Sequence, residues 1–115
     1  MDRKEALKNK KSLNQFESLE GLHADLSEAF KAQFDRSLPF SDEVFDRWER
    51  AKSLGWEDGS SVYDSAYIFG DTKVGKNTWV GPFTIIDGSG GLEIGDNCTI
   101  SSGVHIYSHS NIYQT

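Results

Sequence analysis

Sulfur, proline and, toward its end, positive charge are all scarce in this chain. One cysteine, Cys98, in 115 residues excludes an internal disulfide framework and fits a reducing compartment. The pattern Asn97-Cys98-Thr99 is then a coincidental glycosylation signal. A formal net charge of −6, with only Lys73 and Lys76 as bases after residue 58, argues against a nucleic-acid-binding surface. No long apolar run is present. Arg3, Lys4, Lys8, Lys10 and Lys11 alternate with acids at the N-terminus, which is neither a secretory signal nor a membrane span. The expected location is the cytoplasm, with no nucleic acid and no membrane-spanning segment.

What the chain has instead is a register. Val62, Ile68, Val74, Val80, Ile86, Ile94, Ile100 and Ile106 follow one another at intervals of six, with a single step of eight between Ile86 and Ile94. An α-helix does not repeat at six, so the pattern predicts a β-solenoid that stacks short strands. Four places after each aliphatic the residue is small or β-branched: Ala66, Thr72, Thr78, Thr84, Cys98, Val104 and Ser110, with Gly90 taking that place after Ile86. A turn-forming residue often follows the aliphatic directly, as in Val74-Gly75, Val80-Gly81 and Ile94-Gly95. Each unit therefore reads as a flat strand and a tight corner. Stacked aliphatics leave water at roughly 1.5 to 3 kcal/mol each, and the small position lets the backbone close around them. Local alternation, as in Val104-His105-Ile106, leaves a plain antiparallel hairpin as the competing reading.

The preceding part differs in kind. Leu19, Leu22, Leu26, Phe30 and Phe34 recur at helical spacing, with Asp25, Glu28 and Lys31 on the wet side. Leu38-Pro39-Phe40 interrupts this helix, because proline disfavours a helical conformation in the residue before it. Ser41 offers an N-cap for a second helix, whose Val44, Phe45, Trp48 and Ala51 share a face and which should stop at Gly55. The first dozen residues read as frayed helix or disorder. Composition shifts over residues 56–60, dividing the chain into a helical segment, 1–58, and a repeat segment, 59–115.

Two features of the repeat segment stand out. The step of eight falls on Asp87-Gly88-Ser89-Gly90-Gly91, which reads as a loop pushed out of the coil; it lacks a complete phosphate-binding fingerprint and leads into further strand repeats instead of a helix. After Ile106 only a short stretch follows, with no capping unit, so the expectation is the front portion of a longer protein or an end covered by another chain.

The runs Ile94-Gly95-Asp96-Asn97-Cys98 and Gly103-Val104-His105-Ile106-Tyr107, with Thr84-Ile85-Ile86-Asp87 before them, resemble the hexapeptide-repeat acyltransferases, particularly the maltose and galactoside O-acetyltransferases. From Leu38 onward the chain also resembles acetyltransferases of bacterial polysaccharide biosynthesis, with Asp46-Arg47-Trp48-Glu49 and Gly75-Lys76-Asn77-Thr78-Trp79 among the matching segments. The resemblance implies a mainly β chain: a single-stranded left-handed parallel β-helix of about three coils, incomplete at its C-terminus, behind an N-terminal helical segment. It further implies a homotrimer, acetyl-CoA as acyl donor between neighbouring subunits, a sugar or nucleotide-sugar acceptor, and no metal.

On the same resemblance His109 is the general base, and Asp87 lies near the acceptor, where a corner aspartate holding its own backbone is an equal reading. A neutral imidazole, with an ordinary pKa of about 6.5, suits removal of a proton from a hydroxyl or amine as it attacks a thioester. Pro82 departs from the galactoside type, which has an asparagine there. Cys98, in a small wall position, is a poor nucleophile, so direct transfer without an acyl-enzyme is expected. Trp48, Trp56 and Trp79 serve equally for sugar stacking or for packing. The family's coenzyme contacts fall mostly on later coils, which leaves the activity of this chain alone open. Two other classes compete. One is a non-catalytic hexapeptide-repeat assembly protein. The other is a zinc hydratase resembling the γ-type carbonic anhydrases, with His105 and His109 as ligands but no fitting third.

Overall fold

The computed structural model describes residues 1–108. The chain divides into two compact units, Met1–Val44 and Phe45–Thr115.

The first unit is helical. Asp2 caps α1 (Arg3–Ala6) by accepting the N–H groups of Lys4 and Glu5 at 3.0 and 3.2 Å, so the lysine-rich start is ordered into a short helix. α2 (Ser12–Phe34) ends on Asp35, whose left-handed backbone and N–H bond to the Lys31 carbonyl close the last turn. Its stripe is present, yet Leu19, Leu22 and Phe34 are exposed and α2 buries none of its residues. α3 (Phe40–Val44) begins directly after Pro39, whose carbonyl accepts the Glu43 N–H at 3.1 Å.

The second helix expected from Ser41 to Gly55 is in fact two. Asp46 adopts an extended conformation and its carboxylate accepts the N–H groups of Trp48 and Glu49 at 2.8 and 2.9 Å, which starts α4 (Arg47–Ser53) afresh. Ala51 is buried as expected, whereas Val44, Phe45 and Trp48 are exposed. Leu54 caps the helix and Gly55 follows at φ +79°.

Strands β1 (Ser61–Val62), β3 (Trp79–Val80) and β5 (Thr99–Ile100) form one parallel sheet; β2 (Tyr67–Val74), β4 (Ile85–Ile94) and β6 (His105–Tyr107) form another. The registers are Val62 to Val80 to Ile100 and Ile68 to Ile86 to Ile106, with Val74 beside Ile94. All eight aliphatics belong to or pack against one core cluster, and Val62, Val80 and Ile86 are fully buried. The step of eight is explained by a bulge. Between the pairs Gly70–Gly88 and Thr72–Leu92, β2 has only Asp71 while β4 carries Ser89, Gly90 and Gly91. The insertion therefore stays inside a continuous strand and is not a detached loop.

Corners are stacked as well. Gly59, Asn77 and Asn97 all have positive φ, and the Asn77 and Asn97 N–H groups bond to the carbonyls of Asp58 and Lys76 at 3.0 and 2.7 Å. The small wall residues are satisfied inside: Thr78 Oγ1 donates to the Gly95 carbonyl at 2.8 Å and accepts the Cys98 N–H at 3.2 Å, and Thr84 Oγ1 donates to the Gly81 carbonyl at 3.1 Å. α4 packs on β1, and its Ala51, with Trp56, belongs to the same apolar cluster as the strand aliphatics.

The expectation of a mainly β, single-stranded left-handed β-helix of about three coils is corrected by this arrangement. The strands belong to two separate three-stranded parallel sheets, unclosed among the described residues, and helices hold more residues than strands, with 23 in α2 alone. The class is mixed α and β. The reason is that the six-residue units are unequal: four of them make strands of only two or three residues, β1, β3 and β5 being the shortest and β6 the fourth, whereas the Ile68 and Val74 units fuse into one strand of 8 residues and the Ile86 and Ile94 units into one of 10.

Candidate functional site

Because successive side chains on a strand point to opposite faces, the residue after each buried aliphatic of the β2–β4–β6 sheet turns outward. Register then sets Phe69, Asp87 and Tyr107 abreast, with Tyr67, Ile85 and His105 forming the row beside them. Phe69 is 48% and Tyr107 58% exposed, whereas Asp87 between them is only 8% exposed. Tyr67 stacks on Phe69 with centroids 6.1 Å apart and planes at 23°; His105 meets Tyr107 edge-on at 6.2 Å. A carboxylate is thus set low between two open aromatic rings.

Asp87 is held firmly. Its Oδ1 accepts the Ser89 N–H at 2.8 Å, the local backbone turn that sequence considerations allow for an aspartate here. Its carbonyl accepts the Ser108 N–H at 3.0 Å, and Ser108 Oγ accepts the Gly90 N–H at 2.8 Å. The chain leaving β6 is therefore stitched to β4 at the candidate acceptor residue. His109, the next residue in the chain, lies outside the described residues. His105 is exposed on β6, and among the described residues no three His, Cys, Asp or Glu side chains gather as a metal-binding set. Cys98 is half-buried, its thiol 3.5 Å from the Asp96 carbonyl. Pro82 sits in a corner where its carbonyl accepts the Gly103 N–H at 3.2 Å.

Phe69 and Tyr107 are site residues that sequence considerations missed. The signal was present, since each directly follows an aliphatic of the register, as Asp87 does. What was lacking was the phase: strands stack on every third unit, and only that spacing brings residues 69, 87 and 107 together.

A second titratable cluster lies in the first unit. Glu43 on α3 is 6% exposed and its carboxylate takes hydrogen bonds from His23 Nδ1 and, at 2.5 Å, from the Ser27 hydroxyl, both on α2. Burial pushes the Glu43 carboxyl up, but the bonds from Ser27 and His23 and the His23 charge prevail and hold it below its ordinary value. Ser27 Oγ and Glu43 both meet the same ring nitrogen, Nδ1, with the hydroxyl 3.3 Å away. A serine relay needs the hydroxyl on one imidazole nitrogen and the carboxylate on the other, so this cluster is a helix clasp and not a nucleophile.

Among the described residues no helix is long and apolar enough to cross a membrane. In comparisons with known proteins, no family model and no curated protein matches this chain.

Proposed function

We propose that this chain carries the acceptor side of an acyltransferase that moves acetyl from acetyl-CoA to a hydroxyl or amine of a sugar or nucleotide-sugar. The observation that carries the reading is the Phe69–Asp87–Tyr107 row: open aromatic faces for the apolar side of a sugar ring, and a fixed carboxylate between them to accept its hydroxyl protons. The sequence run that resembles the acetyltransferases leads through β6 directly into His109. In this reading His109 takes the proton from the acceptor as its oxygen or nitrogen attacks the thioester carbonyl. The tetrahedral intermediate collapses by breaking the carbon–sulfur bond, and the proton passes to the departing CoA thiolate. No acyl-enzyme is formed, in keeping with the half-buried place of Cys98. The working protein is a cytoplasmic homotrimer.

The test follows release of CoA thiol from acetyl-CoA in the presence of sugar acceptors, using the complete reading frame. His109→Ala should lower kcat by about 10²- to 10⁴-fold, the usual worth of general-base assistance, without lowering the melting temperature. Asp87→Asn should raise KM for the acceptor and leave KM for acetyl-CoA unchanged. Full turnover by the His109 variant overturns the assignment.

A further inference from the structure

Trp48 is a costly residue to leave in water, and the second unit does so while holding the residue still. Its N–H is bound by the Asp46 cap at 2.8 Å. One face of its indole lies under the Arg47 guanidinium, 4.2 Å from the ring centroid, and that guanidinium also donates to the Tyr63 hydroxyl at 2.6 Å. The side chain is nonetheless 49% exposed, and it lines a cavity of about 230 Å³ together with Glu49, Lys52, Trp56, Glu57 and Asp58. The lining therefore combines a fixed aromatic surface with three carboxylates and one ammonium.

Those features restrict the occupant. The volume is below the roughly 300 to 1,000 Å³ of sites for drug-sized ligands, which suits a single ring better than a peptide or an oligomer. Three carboxylates against one lysine repel phosphates and other anions and favour a cation. A cation lying flat on the indole is disfavoured, because Arg47 already draws π density to the opposite face. The ring that satisfies all three conditions presents weakly polarised C–H groups to the indole, hydroxyl donors to the carboxylates, and its positive charge at the edge. We propose that this cavity binds one protonated amino sugar, its pyranose face on Trp48 and its ammonium beside Glu57 and Asp58. The site stands apart from the acyl-transfer reading, since none of its residues belongs to the Asp87 row.

The test uses the full chain, followed through its tryptophan indole N–H resonances, with Trp48→Phe to assign the relevant peak. Glucosamine, at a slightly acidic pH that keeps its amine charged, should shift the Trp48 resonance saturably. N-acetylglucosamine, of the same ring but uncharged, should bind about fivefold more weakly, the size of one exposed cationic contact. Trp56, in the same lining, should shift with it, and Trp48→Ala should abolish that second response. The double variant Glu57→Gln with Asp58→Asn leaves in place the backbone bonds from the Glu57 N–H to the Val74 carbonyl and from the Asn77 N–H to the Asp58 carbonyl, and serves if the tryptophan variant does not fold. It should bind both sugars equally. An unmoved Trp48 resonance at saturating glucosamine, equal affinity for the two sugars in the unaltered chain, or an undiminished charge preference in the double variant overturns the proposal.

Discussion

Gly70 shows how much one backbone position decides. It sits at φ +69° on β2, opposite Gly88, and a Cβ there would meet Ser89 N at 2.5 Å and the Gly88 carbonyl carbon at 2.6 Å. Both obstacles are backbone of the neighbouring strand, so no side chain can move aside. Gly103, at φ +79°, has open space where its Cβ would be. Gly70→Ala should therefore cost about 3 kcal/mol, strain plus overpacking, whereas Gly103→Ala should cost about 1 kcal/mol for conformation alone. Urea unfolding of the two variants checks the difference; equal losses would show that the β2–β4 bulge is soft. Sequence considerations located the glycine-rich stretch 87–91 but read it as a loop, because spacing alone does not reveal that Gly88 faces another glycine across a ladder.

At the level of elements, the interior was legible and the pairing was not. All eight aliphatics of the six-residue register reach the core, and Ala66, Thr78 and Thr84 fill the small wall positions out of contact with water. Such a pattern fixes which face is inside. It does not fix how many units a strand spans, which depends on whether a corner takes a left-handed residue, as at Asn77 and Asn97, or a bulge that keeps pairing intact, as at Gly70. The Phe69–Asp87–Tyr107 row was hidden for the same reason, while His109 rests on resemblance alone. The helix reading failed at Asp46 because a capping aspartate looks like any other acid on the wet side of a longer helix. α4 matters beyond its length: Arg50 donates to the carbonyls of Tyr63 and, at 2.9 Å, Ala66, tying the helix to the backbone that leads from β1 into β2. Arg50→Ala removes the guanidinium from both carbonyls, leaving the Tyr63 carbonyl only the Ala66 N–H at 3.1 Å, and should cost about 1.5 to 3 kcal/mol, the range for hydrogen bonds to a charged group. Arg50→Lys should recover only part of that, since one ammonium does not reproduce the guanidinium fork. Thermal denaturation of both variants tests the order.

For the molecule as a whole, the two units answer differently to acid. The first is held by α2 and α3 around Glu43, a buried carboxylate whose proton affinity is lowered by Ser27 and His23. A carboxyl with a folded-state pKa below its unfolded value of about 4.5 contributes its full stabilisation above that pH. The contribution declines as pH falls below it and is gone once the folded form is protonated. The second unit uses carboxylates at the exposed Asp46 cap and the Asp87 turn, but rests chiefly on parallel ladders and an apolar column, which do not titrate. Chance supplies separate probes: all three tryptophans, Trp48, Trp56 and Trp79, are in the second unit, while α2, the longest helix, is in the first. Lowering the pH from 6 toward 3 should therefore reduce the far-ultraviolet helix signal before tryptophan emission changes. Glu43→Gln should lower the helix melting temperature at neutral pH, by the equivalent of about 1 to 3 kcal/mol for a weakened buried acceptor, and flatten its dependence on pH. Coincident acid transitions by both probes would mean that the units unfold as one. An unchanged acid transition in the glutamine variant would place the sensitive carboxylate elsewhere.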